Sequence, residues 1–240
     1  MTAAKTLFVV MDGIPADVIE RVATPHLDQI TASGGFGRAY VGGEIGGASE
    51  SPTISAVGYQ SLLTGTWANK HQVFNNDAAS PDYDYWDIFR MAKAHDPSLS
   101  TALFSTWEDN RTKLIGDGLA AAGGHKLDYY LDGLEHDTQR FPDQKAAANI
   151  KAIDVYIAEQ AADYLLNVGP DLSWVYFQYS DDVGHQAGDS AALDDSVRFT
   201  DALVGQLWAS IQSRQKMLDE DWLVVITTDH GRDAINGKGH

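Results

Sequence analysis

The chain has 240 residues, a formal net charge of −17 and no cysteine. That charge argues against a nucleic-acid polymer as partner, because phosphate backbones are held by basic surfaces. The absence of cysteine excludes disulfides, thiolate metal sites and a cysteine nucleophile. A hydrophobic content of 44% allows a sizeable core, but no run approaches the roughly 18 apolar residues that span a bilayer. Met1–Lys5 carries no apolar secretion signal. Taken literally this implies a cytoplasmic protein, whereas a periplasmic or secreted one with its signal peptide removed would begin in the same way.

In chain order, an apolar β-branched run at 6–11 predicts a buried strand ending at Asp12-Gly13. Helical patterns start near Pro15 and Pro25, the second stopping at Gly34-Gly35. Residues 42–51 form a glycine- and serine-rich loop, and a short apolar helix is expected over 56–63. Trp86, Phe89 and Met91 lie in a helix-like segment and read as core. Strands are expected at 101–105, 172–179 and 222–228, with long helices over 144–166 and 191–218. The stretch 117–142 mixes glycines, tyrosines and acids and is a candidate cap, in which Tyr129, Tyr130 and His136 are candidates for contact with a leaving group. This alternation predicts an α/β fold, a doubly wound and mostly parallel sheet flanked by helices, as a single domain over 1–240 with a small cap insertion.

Ligands of open parallel sheets bind beyond the carboxyl ends of the strands. Three predicted strands end in metal-ligand residues: at Asp12, at Asp181-Asp182-Val183-Gly184-His185 and at Asp229-His230-Gly231. Gly231 supplies the turn that lets Asp229 and His230 face one ion. Asp181 and His185 meet across one helical turn or a tight loop, and Asp182 is an alternative to Asp181. His240 closes a glycine-containing loop able to reach the same edge. A hydroxyl nucleophile is expected within 51–55, where Thr53 and Ser55 precede the short helix; a serine at that point also suits a helix cap. Trp107–Arg111 follows a predicted strand and either lines a pocket or starts a helix.

Together these motifs resemble the alkaline phosphatase superfamily, most closely its nucleotide pyrophosphatase/phosphodiesterase branch. The matching pieces, in the family's order, are Met11-Asp12-Gly13, Pro52-Thr53-Ile54-Ser55 with Leu63-Thr64-Gly65, Asp181-x-x-Gly184-His185 and Thr228-Asp229-His230-Gly231. Thr24-Pro25-His26-Leu27 is similar to the start of that family's second helix. The position of Thr64-Gly65 favours Ser55 over Thr53 as the nucleophile, makes Asn76 the amide that binds a phosphoryl oxygen, and makes His71 structural.

The resemblance implies one divalent ion on Asp12, Ser55, Asp229 and His230, and a second on Asp181, His185 and His240. Nitrogen and oxygen ligands suit zinc, with manganese or iron as alternatives. It further implies hydrolysis of a small phosphate ester or nucleotide, most nearly a phosphodiester or nucleotide pyrophosphate, through a phosphoryl-serine. The branch usually has threonine where this chain has Ser55, and asparagine and histidine where it has Gly58 and Tyr59. Relatives continue past the point where this chain stops, which suggests a longer natural protein.

Three rival readings remain. A phosphomonoesterase of the same superfamily would grip its dianion with an arginine, and none lies between Arg38 and Arg90. A sulfatase would need a convertible cysteine or serine followed by proline and arginine. The non-enzymatic rival is a metal-binding protein with a decayed site. No sequence feature speaks to the oligomeric state.

Overall fold

The computed structural model describes residues 3–143 and 145–240. Five strands form one sheet: β1 (Ala3–Met11), β2 (Thr101–Ser105), β3 (Tyr129–Leu131), β4 (Leu172–Phe177) and β5 (Glu220–Thr227). They lie in the order β3-β2-β4-β1-β5, and every pairing is parallel. Eight α-helices accompany them among the described residues: α1 (Ala16–Arg21), α2 (Pro25–Ser33), α3 (Ser55–Thr64), α4 (Ala68–His71), α5 (Ile88–His95), α6 (Ala148–Asn167), α7 (Tyr179–Ala187) and α8 (Ala191–Met217).

Period-two alternation explains why apolar runs became central strands. In β1, Leu7, Val9 and Met11 enter one core with Ile153, Ile157 and Ala161 of α6 and Val197, Val204 and Leu207 of α8. Phe8 and Val10 enter the opposite core with Ala56, Tyr59 and Leu63 of α3 and Phe89 of α5. A parallel strand buried on both faces needs apolar residues at every position. Each large side chain so buried contributes about 1.5–3 kcal/mol.

The register pairs Met11 with Phe177 and Val10 with Thr227. The carboxyl ends of β4, β1 and β5 therefore finish level and adjacent. Asp12, the start of α7 and the Thr228–Gly231 turn meet at one edge.

Several boundaries differ from expectation. The 172–179 strand ends at Phe177, because Tyr179 already belongs to α7. Asp154 of α6 draws this helix start inward, accepting from the Gln178 and Tyr179 amides at 3.2 and 2.9 Å. Gln144, the expected first residue of the long helix, lies outside the described residues, and α6 begins at Ala148.

The supposed cap is partly sheet: β3 lies inside it and pairs with β2. Tyr129 packs on Phe104 and Tyr164, Tyr130 lies under Arg111, and His136 pairs with Glu108. None of the three lines the site cleft described below. Of the expected core trio only Phe89 is buried; Trp86 is 43% and Met91 46% exposed, since they lie on the outer side of the α5 segment.

Candidate metal and phosphoryl site

Ser55 is the first residue of α3, with Ile54 at the cap position. The capping role goes instead to Asn76, whose Oδ1 accepts from the Ala56 amide at 3.0 Å. That bond orients the Asn76 amide and leaves its Nδ2 as the donating end. The Ser55 hydroxyl points to His230, with Oγ 3.2 Å from Nε2. Thr53 lines a different cavity, of ≈ 250 Å³, with Tyr40, Trp67 and Asp229. His71 is buried, with Nδ1 accepting from the Val73 amide and Nε2 meeting Ser61 Oγ at 3.0 Å. Burial lowers its pKa to about 4, which keeps the ring neutral.

His230 Nε2 is the centre of the group. Asp12 Oδ1 and Asp229 Oδ2 each lie 3.3 Å from it, and Asp181 Oδ1 lies 3.7 Å away. The other ring nitrogen, Nδ1, donates to the Gly231 carbonyl at 2.8 Å. Burial alone would lower the His230 pKa, but Asp229, Asp12 and Asp181 override it and hold the imidazole up to about 9. Burial, joined by the charge of Asp12, pushes Asp229 well above the usual carboxylate range.

The two deep carboxylates are each half satisfied. Asp229 Oδ1 accepts from the Gly13 amide at 3.0 Å. Asp12 Oδ2 accepts from the Tyr59 hydroxyl and, at 2.7 Å, from the Tyr176 hydroxyl. Their other oxygens, Asp12 Oδ1 and Asp229 Oδ2, are buried without a hydrogen-bond partner. Such atoms are costly unless a cation meets them. One oxygen each of Asp12 and Asp181 and a ring nitrogen of His230 lie within 4.8 Å of one another, a grouping able to hold a metal ion. The donor set, carboxylates and imidazole converging on one point, fits a divalent ion.

Around this centre stands a second, shallower group. One turn of α7 brings His185 Nε2 to 3.3 Å from Asp181 Oδ2. His185 Nδ1 donates to the Lys238 carbonyl at 2.7 Å, so Nε2 is the nitrogen free to bind. The hydrogen bond to Asp181 raises the His185 pKa. Asp181 is buried, which would push it up, yet His185 and Arg232 hold it below the usual range.

His240 does reach back. Asp233 accepts from the amides of Ile235, Asn236 and Gly239 at 2.8, 3.0 and 2.6 Å, which folds the last loop. The His240 ring then lies 4.3 Å from that of His230 and 5.1 Å from that of His185. Asp182 lines the same cleft and accepts from Gln178 Nε2 at 3.3 Å. Burial and the charge of Asp181 raise it to about 6.

Motif reading missed two features. Arg232 follows directly after Asp229-His230-Gly231, and its buried guanidinium bonds the Asp181 carboxylate, the Asp181 carbonyl at 2.8 Å and the Gly13 carbonyl at 3.1 Å. An arginine adjoining a ligand motif was the available signal. Gly13 has φ +67°, and a Cβ there would come 2.6 Å from Asp181 Oδ1, so only glycine admits this packing. The second feature is the tyrosine pair on Asp12. The cleft, ≈ 310 Å³, is lined by Asp12, Ser55, Tyr59, Asn76, Trp107, Tyr176, Gln178, Asp181, Asp182 and His185.

The type I phosphodiesterase/nucleotide pyrophosphatase family model matches residues 6–240. The chain belongs to this family. Solved structures of similar fold include murine ectonucleotide pyrophosphatase/phosphodiesterase 5, an inactive variant in complex with AMP, at 18% identity and TM-score 0.61 over 95% of this chain. Phosphonoacetate hydrolase from Sinorhizobium meliloti is 14% identical with TM-score 0.59 over 97% of this chain. The lipoteichoic acid synthase of Listeria monocytogenes is 15% identical with TM-score 0.63, also over 97%. The chain spans 57%, 58% and 57% of the lengths of these three. At such identities the likeness concerns the fold: an alkaline-phosphatase-like parallel sheet flanked by helices.

Proposed function

We propose that this chain hydrolyses phosphodiester or nucleotide pyrophosphate bonds through a phosphoryl-serine at Ser55. The observation that carries the reading is the pair of bare, buried oxygens on Asp12 and Asp229, aimed with Ser55 Oγ at His230 Nε2. Asp12, Ser55, Asp229 and His230 would hold one divalent ion, and Asp181, His185 and His240 a second, with zinc the metal that best suits these donors. Two such ions supply Lewis acidity that lowers the hydroxyl pKa and offsets charge on the phosphoryl oxygens.

The chain's own groups do the rest. Ser55, at the N-terminus of α3, meets the positive end of the helix dipole, which favours an anionic nucleophile and a bound phosphoryl group. Its Oγ gives up its proton and forms a bond to phosphorus while the bond to the leaving oxygen breaks, that oxygen departing as the alcohol with one proton; water then adds to phosphorus, one of its protons returning to Oγ as the phosphoryl-serine bond breaks. Asn76 Nδ2 donates to a non-bridging oxygen. A diester has less charge to neutralise than a monoester. The guanidinium of Arg232 is engaged with Asp181 and Gly13 rather than lining the cleft, which suits a diester. A nucleotide substrate is consistent with the AMP held by the murine relative.

The test pairs elemental analysis of protein purified without chelator or histidine tag with hydrolysis of bis- and mono-p-nitrophenyl phosphate. Two zinc ions per chain with faster diester cleavage is the expected result. Bound metal with a monoester preference would keep the site and overturn the substrate class; no metal and no turnover after zinc addition would leave only the fold.

A further inference from the structure

Tyr59 and Tyr176 come from different elements, α3 and β4, and converge on one atom. Tyr176 donates to Asp12 Oδ2 at 2.7 Å, Tyr59 Oη contacts the same oxygen, and the two phenol oxygens are 2.8 Å apart. Both rings are buried and packed edge-to-face at 5.0 Å, with Trp107 and Trp174 around Tyr59 at 6.1 and 6.5 Å. Packing thus holds both rings in place alongside their bonds to the carboxylate.

Each phenol carries one O–H. The trio makes three contacts, so the two hydrogens either both go to Asp12 or pass as a relay through one phenol. In either arrangement Oδ2 is engaged and Oδ1 is left bare.

We infer that Tyr59 and Tyr176 are positioning residues that fix Asp12 by its Oδ2 and leave Oδ1 as the single atom it offers a cation. The inference rests on Asp12 being a metal ligand. A carboxylate is otherwise free to rotate and bind through both oxygens, as large oxygen-loving ions prefer. Held by one oxygen, it favours a four-coordinate, nitrogen-accepting ion such as zinc over manganese. Phenols do this without adding positive charge. A lysine or arginine at either place would cancel the field of Asp12, Asp181 and Asp229 that attracts the ion.

The test is a competitive titration of Zn²⁺ and Mn²⁺ against a chromophoric chelator. It uses the intact chain, Tyr59→Phe, Tyr176→Phe and Asp12→Asn, together with the melting temperature of each metal-free protein. Phenylalanine keeps the ring packing and removes only the O–H. Each single variant should bind Zn²⁺ about tenfold more weakly, the scale of an outer-shell loss. Mn²⁺ should be less affected, so the ratio of the two affinities narrows, while the metal-free melting temperature changes little. Phenylalanine variants with unchanged Zn²⁺ affinity and ratio, beside an Asp12→Asn that loses Zn²⁺, would overturn the inference alone. An Asp12→Asn that binds like the intact chain would instead overturn the metal site beneath it. If one phenylalanine variant fails to fold, the other carries the comparison.

Discussion

The inner and outer groups of the site adjoin at His230 but are held in opposite ways. Asp12, Asp229 and His230 are sealed, with side chains no more than 2% exposed, and each carboxylate keeps one bare oxygen. His185 and His240 stand nearer the mouth, beside the buried Asp181. The His185 side chain is 42% exposed, and the Asp181 carboxylate is already shared between Arg232 and His185. A cation entering the deep half would compete with protons on His230 and Asp229, whose pKa values are both raised, whereas one entering the outer half would have to draw Asp181 from Arg232 and His185. If both groups bind ions as proposed, depth and prior pairing would order their affinities, with the inner group expected to bind more tightly.

The largest expected effects separate chemistry from binding within the inner half. Asp229→Ala should lose metal and turnover together. Ser55→Ala should keep metal and lose turnover by at least about 10³-fold, while Thr53→Ala, in a different cavity, should remain active. Elemental analysis and steady-state kinetics on the three variants decide this; a dead Thr53→Ala beside an active Ser55→Ala would move the nucleophile.

Next, His185→Ala should weaken the second of two metal-binding phases in calorimetry by at least the roughly 10–100-fold that an outer-shell loss costs, with the first phase unchanged. Equal weakening of both phases would break the distinction between the halves.

Proton competition gives a third test. His230 is held up to about 9, so below that pH it carries a proton that an ion must displace. Inner-site affinity should therefore rise about tenfold per pH unit between pH 7 and 9 and level off above, with proton release on binding. Calorimetry in buffers of different ionisation enthalpy reads this directly, and an affinity flat across the window would contradict it.

How much of this was legible in the sequence depended on burial. Strands β1 and β2 declared themselves because both faces are covered, which gives near-continuous apolar runs at 7–11 and 102–104. β3, only Tyr129–Leu131, did not, because three residues carry no periodicity and its membership depends on pairing with β2. Asp12, Asp181, Asp229 and His230 were readable because ligand types follow strand ends. Arg232 and Tyr59 were not, since their meaning lies in which oxygen they occupy, and spacing along the chain does not encode that. Tyr176 sits at a core-facing position of β4, where a phenol reads as an ordinary packing residue until its hydroxyl is located.

The smallest effect concerns the frame of the outer half. Burial raises Asp154 to about 7, despite hydrogen bonds from Thr106 and the α7 amides. Its unfolded value lies near 3.8, so between those values the folded state binds more protons. This group's contribution to stability is thus greatest at low pH and falls as pH rises from about 4 to 7, by a few kcal/mol at most. Chemical denaturation at pH 5 and 7.5 should show a weaker pH dependence in Asp154→Asn than in the intact chain; identical slopes would remove Asp154 from the account.

Attack by Ser55 can be trapped by acid-quenching the zinc-loaded protein during turnover of a p-nitrophenyl diester and mapping its peptides by mass spectrometry. The account predicts one added phosphoryl-ester group on the peptide containing Ser55, located at that residue and absent from Ser55→Ala. The same group on Thr53, or its absence from every peptide while turnover is brisk and the trapping conditions preserve a phosphoserine standard, would contradict it.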